Sequence, residues 1–305
     1  MKRALECLVC GENSLRSHSA VFAPFIAKRI WDRDSFSIKI NKCRRCKFSF
    51  ADTRFDEAEE KRLYADYRGP EYQSMRQSCE PWYTPQFNAR LSTGTIETRR
   101  EQLATIFRDH LPCDIKAVLD FGGDRGDLFA GLVHGASNYV YDISGTQAAP
   151  GVTTISSLED AASQKFDLIG CSNVLERVAY PRGLLADIKR VARYRTLVFI
   201  EVPSETPFGL QNYAKRSAQE LILLAFRRKV AFSLLPFGFL RQVHDHVNFF
   251  SLHSLKKLVE AEGFRVLAAG TYPSEGYSFG PYRIAGGQMA WTLSSLWTHP
   301  AKEGN

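Results

Sequence analysis

The sequence predicts an α/β protein: a Rossmann-like, mostly parallel sheet, preceded by a zinc ribbon and a helical connecting region. Three observations carry this. Buried-strand patterns alternate with helical patterns through the second half of the chain, one strand opens into a glycine-rich turn, and two C-x-x-C pairs lie near the N-terminus. Alternating strands and helices favour parallel strands with both sheet faces covered. The aromatic content of 12% supports a core sizeable enough to fold without disulfides.

Residues 1–54 form the first unit. Cys7-Leu-Val-Cys10 and Cys43-Arg-Arg-Cys46 are thiolate pairs of identical spacing. Each pair turns tightly enough to place two sulfurs on one ion, and two such knuckles make a tetrahedral site suited to zinc. The alternating strand Phe36–Ile40 fits a ribbon whose hairpin carries the second knuckle. Protein fills all four positions, so the predicted zinc is structural, held by Cys7, Cys10, Cys43 and Cys46. C-x-x-C pairs used as ligands imply a reducing compartment, and a cytoplasmic location is expected. The N-terminus MKRALECLVC lacks an apolar signal region, and no run of about 18 apolar residues occurs.

Residues 55–112 form the connecting region. Glu57–Tyr67 and Thr95–Leu111 are expected as helices. Between them Arg68–Pro85 is rich in Tyr, Pro and Gly. This is either a linker packed by its own aromatics or a cap that brings Tyr72, Arg76, Trp82 and Tyr83 to a substrate.

The core spans 113–294. Strand Ala117–Phe121 runs into the turn G-G-D-R-G, with a helix expected from near Asp127. Glycines there let backbone approach a ligand at the carboxyl edge of the sheet. A second strand over Asn138–Ser144 ends in Asp142, about 20 residues on, where an acid accepts from ribose hydroxyls. A helix near Ser157–Ser163, a strand Phe166–Cys171, an amphipathic helix Pro181–Arg193 and a strand Thr196–Val202 follow. Residues 204–243 are an insert with a basic amphipathic stretch. It is expected as a lid, and its charges exclude spanning a membrane while leaving peripheral membrane contact open. The insert ends in Q-V-H-D-H-V-N-F-F-S, then come a helix Leu252–Glu262 and a strand Phe264–Ala269. Residues 295–305 are a tail.

D-F-G-G-D-R-G, Y-D-I-S, F-D-L-I-G-C-S-N-V-L-E-R-V and L-V-F-I-E-V-P, in this order, resemble the class I S-adenosylmethionine (SAM)-dependent methyltransferases. The resemblance covers about residues 113 to 294. The zinc knuckles extend it to the subgroup typified by bacterial deoxysugar C-methyltransferases. It implies a seven-stranded sheet whose last strand, Gln288–Leu293, is antiparallel. It implies Asp120, Gly122, Gly123 and Gly126 around the methionine end of SAM and Asp142 at the ribose. Cys171, Ser172 and Asn173 would flank the sulfonium. Asp124 stands where the family has its middle glycine, and Arg177 replaces the histidine of Leu-Glu-His. Asp245 and His246 match the family's acid-His pair, with Val243 where a Tyr is often found.

The chemistry points the same way. A hydroxyl, or a carbon beside a carbonyl, must lose a proton before it attacks the methyl. An imidazole of ordinary pKa is an available base, and Asp245 favours the imidazolium once formed. His246 is the candidate base, its alternative role being a bond to the loop backbone. His244 and Glu201 are weaker candidates. The expected reaction is carbon or oxygen methylation of a small carbohydrate-like acceptor, including nucleotide-linked sugars. A lipid-linked or polyketide-like acceptor for oxygen methylation is the second reading. A zinc-ribbon nucleic-acid binder and a non-catalytic scaffold stand behind it. The net charge of +7 favours anionic partners, but the basic residues form no tail or stripe, which counts against nucleic acid.

Overall fold

The computed structural model describes residues 2–81, 83–89, 96–205, 207, 241–273, 278–279, 282–283 and 288–296. Trp82, nearly all of the insert and most of the tail lie outside these residues.

The N-terminal part contains β1 (Lys2–Arg3), β2 (Leu15–Phe22), α1 (Pro24–Trp31), β3 (Phe36–Cys43), β4 (Ser49–Ala51) and β5 (Thr53–Arg54). Strands β2 and β3 pair antiparallel from Leu15↔Cys43 to Phe22↔Phe36. The strand expected at Phe36–Ile40 therefore runs on to the third cysteine. Helix α1 was not legible in the sequence. Pro24 suits its first turn, and Phe25, Ile26, Ala27 and Ile30 are buried.

In the connecting region lie α2 (Glu57–Tyr64), α3 (Pro70–Cys79), α4 (Pro85–Ala89) and α5 (Ile96–His110). An Asp56–Glu59 capping box starts α2. It stops short of the expected Tyr67 because Asp66 and Arg68 turn the chain in left-handed conformations, φ 49° and 60°. Tyr72 and Tyr83 are buried, and Tyr72 meets the Phe25 ring edge-on at 4.9 Å. Arg76 lies over the Tyr83 ring at 4.2 Å.

The core follows with β6 (Ala117–Phe121), β7 (Ser137–Tyr141), β8 (Val152–Thr154), α6 (Leu158–Ser163), β9 (Leu168–Ser172), α7 (Pro181–Val191) and β10 (Leu197–Ser204). Then come β11 (Arg241–Val243), β12 (Asn248–Phe249), α8 (Leu252–Ala261), β13 (Phe264–Pro273), β14 (Ser278–Phe279), β15 (Tyr282–Arg283) and β16 (Gln288–Leu296). The main sheet has seven strands in the order β13-β16-β10-β9-β6-β7-β8. Strands β6 to β10 run parallel, and β16 pairs antiparallel with both β10 and β13. This is the predicted mostly parallel seven-stranded sheet. Its strand order reverses between β6 and β9, the place where open α/β sheets bind ligands.

The helix expected from near Asp127 does not form. Residues 123–135 are successive turns, with Gly126, Gly131 and Gly135 at φ of 78°, 71° and 76°. Left-handed glycines at this frequency break a helix before β7 begins.

A second, five-stranded sheet has the order β11-β2-β3-β4-β12. Strands from residues 241–249 thus flank strands from the N-terminus. Between β11 and β12 lies the H-D-H segment, suspended from the two edges of this sheet. Arg54, fully buried, ties the joint: Nη1 donates to Ala51 O at 3.0 Å and Nη2 to Asn248 Oδ1 at 3.0 Å. The cysteine knuckles share a core with α7 and α8, including Leu185, Ile188 and Leu255. No helix among the described residues is long and apolar enough to cross a membrane.

Candidate active site

A cleft of about 570 Å³ opens at the carboxyl ends of β6, β7 and β9. One side is lined by the glycine turn and Asp120, by Asp142 to Ser144 and Thr146, and by Ser172 and Asn173. The other is lined from the connecting region by Glu60, Tyr64, Tyr67 and Arg68, and by Arg177 of the turn after β9.

The glycine turn is built around Asp120. This carboxyl is 2% exposed, and its Oδ2 has no hydrogen-bond partner. A Cβ on Gly123 would lie 2.0 Å from Asp120 Cγ, so only glycine fits beside it. Gly122 and Gly126 adopt φ of 77° and 78°. Asp124 takes φ 55°, so the departure from glycine preserves the left-handed backbone that Asp tolerates better than most residues. Its N–H donates to Asp142 Oδ2 at 2.8 Å, while Ser144 N donates to Asp142 Oδ1 at 2.7 Å. Each Asp142 oxygen keeps a second lone pair for a ligand. Burial pushes the Asp120 carboxyl well above the usual range, and Asp142 pushes it further. Burial likewise raises Asp124.

Ser172 and Asn173 reach the cleft, but Cys171 does not. Its side chain is 1% exposed and faces the core, as strand alternation requires. Arg99, from α5, was missed in the sequence. Its Nη2 donates to Ser172 Oγ at 2.6 Å and to Glu201 Oε1 at 3.3 Å. Glu201 is fully buried and also accepts from Ser172 Oγ at 3.0 Å and from the Tyr272 hydroxyl. It therefore holds Arg99 at the cleft wall, with Tyr272 behind it in the core, and does not line the cleft itself.

The H-D-H segment carries three consecutive side chains, each facing a carboxylate or guanidinium of another element. His244 Nδ1 is 3.1 Å from Glu80 Oε1 at the end of α3. Asp245 pairs with Arg177. His246 Nδ1 is 3.3 Å from Glu205 Oε2. Burial would raise Asp245, but Arg177 holds it well below the usual carboxylate range. Burial would lower His246, but Glu205, with help from Asp245, lifts it to about 9. Asp245 and His246 do not line the cleft. Arg177 does, and it also donates to the Tyr67 hydroxyl at 3.0 Å, so it links the segment to the cleft wall. Of the proposed cap residues, Tyr72, Arg76 and Tyr83 pack against α1 and one another and do not line the cleft.

A family described as "Methyltransferase domain" matches residues 95–269, more than half of the chain. The chain belongs to this methyltransferase family. It is an enzyme of the broad class expected from the sequence, a methyltransferase. No curated protein matches it. Among solved structures it is similar to a SAM-dependent methyltransferase from Anabaena variabilis, with 12% identity over 71% of this chain and 94% of that one, TM-score 0.45. The magnesium protoporphyrin IX methyltransferase of Synechocystis is 16% identical over 67% and 86%, TM-score 0.40. The glycopeptide N-methyltransferase MtfA, complexed with SAM, is 12% identical over 64% and 92%, TM-score 0.40.

The methyltransferase carries its four cysteines as one cluster, with ligand sulfurs all within 4.8 Å of one another. Cys7 and Cys46 sulfurs are 3.5 Å apart, and Cys10 and Cys43 are 3.6 Å apart. Each knuckle is followed by a left-handed residue, Gly11 at φ 69° and Lys47 at φ 63°. The hydrogen bond shared by Cys7 and Cys46 lowers the Cys46 thiol and raises that of Cys7. Arg182 of α7 clamps the first knuckle, donating to Leu8 O at 3.0 Å and Val9 O at 2.7 Å.

Proposed function

We propose that the cleft binds SAM and that the enzyme methylates a carbon or oxygen of a small carbohydrate-like acceptor, with His246 as base. The observation that carries the cofactor is the acidic floor of the cleft. Asp120, Asp124 and Asp142 converge there, and Asp120 Oδ2, Asp124 Oδ1 and Asn173 Oδ1 are buried without hydrogen-bond partners. Burial, with Asp142 nearby, raises the Asp120 and Asp124 carboxyls, a cost that a cation relieves, and SAM brings two cationic centres, its ammonium and its sulfonium. When bound, SAM supplies an electrophilic methyl group. Asp142, with lone pairs to spare, suits the ribose hydroxyls, and the glycine turn admits the methionyl end. Ser172 and Asn173 stand at the strand end where the sulfonium would lie.

The opposite wall suits the acceptor. The Tyr64 hydroxyl is buried there without a partner, and its pKa is raised well above the ordinary value by burial, so it stays a neutral donor. A neutral donor favours a hydroxyl or carbonyl oxygen, as a sugar ring presents; a nucleotide-linked sugar is one such acceptor. The Arg177–Asp245 pair orders this wall and anchors the H-D-H segment. Deprotonation by such a base typically contributes about 10²–10⁴-fold. His246→Ala should therefore keep SAM affinity and lose turnover by that factor. Unchanged turnover would remove His246 from the reaction.

The cysteine cluster fits structural zinc. Its sulfur separations suit tetrahedral thiolate ligation, and no position is left for a substrate.

A further inference from the structure

Helix α2 carries two neighbouring glutamates with different surroundings. Glu59 is buried, and its Oε1 accepts from Trp31 Nε1 at 2.7 Å while its Oε2 closes the capping box. Leu63, four residues on, is buried beside it in the same core as Phe25 and Ile26. One position further round the helix, Glu60 and Tyr64 line the cleft. Residues four apart are neighbours on a helix surface, about 5–6 Å apart at Cβ.

The polar groups of this second pair are complementary. Glu60 Oε1 accepts from Ala179 N at 2.9 Å, which ties the carboxylate to the segment after β9. Among the described residues no group donates to Oε2. A carboxylate offers about four lone-pair sites, so most of its accepting capacity is unused. Burial raises the Glu60 carboxyl, and the Ala179 N–H and the nearby Arg54 charge offset this only in part. The Tyr64 hydroxyl is buried with no partner. Side by side on one wall stand an acceptor and a donor, each held by the fold and each short of a hydrogen bond.

We propose that Glu60 and Tyr64 form the oxygen-binding subsite for the methyl acceptor: Glu60 Oε2 accepts from a free hydroxyl, and the Tyr64 hydroxyl donates to a neighbouring oxygen of the same molecule. This rests on the reading of this wall as the acceptor's and is independent of His246. The acceptor is then a diol or hydroxyketone, with two oxygens on adjacent carbons and at least one of them a free hydroxyl. A molecule lacking that hydroxyl leaves a half-buried carboxylate desolvated and unpaired, so the pair selects against deoxygenated and O-alkylated analogues.

The test is saturation-transfer NMR of methyl glucoside and its monodeoxy derivatives on the full chain loaded with zinc and SAM, beside calorimetry of SAM. Wild type should bind the parent sugar and bind one deoxy derivative about tenfold or more weakly. E60Q keeps an oxygen for Ala179 N but turns the other acceptor into a donor. It should weaken the parent by a similar factor without further weakening the affected derivative. Y64F removes only an unpartnered hydroxyl, so it tests the subsite even if E60Q fails to fold, and it should weaken the parent too. Both variants should bind SAM as wild type does. Parent sugar bound equally well by Y64F or by folded E60Q would overturn the proposal and leave the carbohydrate reading standing. Weakened SAM binding with unchanged sugar binding would assign the pair to the cofactor and overturn it as well. A wild-type chain that binds SAM but no sugar would overturn the carbohydrate reading and the proposal with it.

Discussion

Gly123 and Asp120 occupy neighbouring space so closely that a single methyl group cannot be added. A Cβ at position 123 would meet the Asp120 carboxyl at 2.0 Å, and that carboxyl is buried and cannot retreat into water. Gly123→Ala should cost about 1–3 kcal/mol by overpacking and weaken SAM binding with it, as chemical denaturation and calorimetry would show. Arg177 and Asp245 are both shielded from solvent, at 19% and 13% side-chain exposure. Arg177→Met leaves Asp245 without its main partner and should destabilise by about 3 kcal/mol in urea titration. His246 gives a pH dependence of definite sign. A base must be neutral, and in the fold this imidazole titrates near 9, above its ordinary value. Turnover should therefore rise with pH up to about 9, and a rate that is flat from neutrality upward would contradict the assignment. The raised value also stabilises the fold below the unfolded pKa of about 6.5, and this contribution is lost as pH rises through 9.

At the scale of elements, the knuckles show what spacing reveals and what it hides. Two C-x-x-C pairs named all four sulfurs that the fold brings within 4.8 Å. Helix α1 lies between β2 and β3, and its short apolar pattern resembled neither a long helix nor an alternating strand. The missing helix after the glycine turn is the reverse case. The strand running into a glycine-rich turn predicted it, but Gly131 and Gly135 in left-handed conformations override that expectation. Arg99 and Glu205 escaped notice for a simpler reason. Nothing in the sequence separates an arginine reaching across to Ser172 from its neighbour Arg100, or a carboxylate bonding His246 from any other acid in an insert. Elemental analysis should find one zinc per chain. Cys46→Ser should lose that zinc and lower the melting temperature, and a metal-free chain with unchanged melting would contradict the structural role.

For the whole molecule, the order β13-β16-β10-β9-β6-β7-β8 puts the cleft at the reversal point of the sheet. This much was legible through the resemblance to class I methyltransferases; alternating buried strands and amphipathic helices pointed only to a mostly parallel, covered sheet. The five-stranded sheet was not, since its pairing of β11 with β2 and of β12 with β4 joins residues distant in sequence. That pairing makes the N-terminal part a support for the H-D-H segment. A chain lacking residues 1–54 should lose turnover even where SAM still binds, as an acceptor assay beside calorimetry would show. The central claim concerns the cofactor itself. Calorimetric titration of SAM into the zinc-loaded protein should give saturable one-site binding, weakened at least about tenfold, or about 1.4 kcal/mol, in Asp142→Ala. Folded protein that takes up no SAM at millimolar concentration, or binds it equally well without the Asp142 carboxylate, would contradict the account.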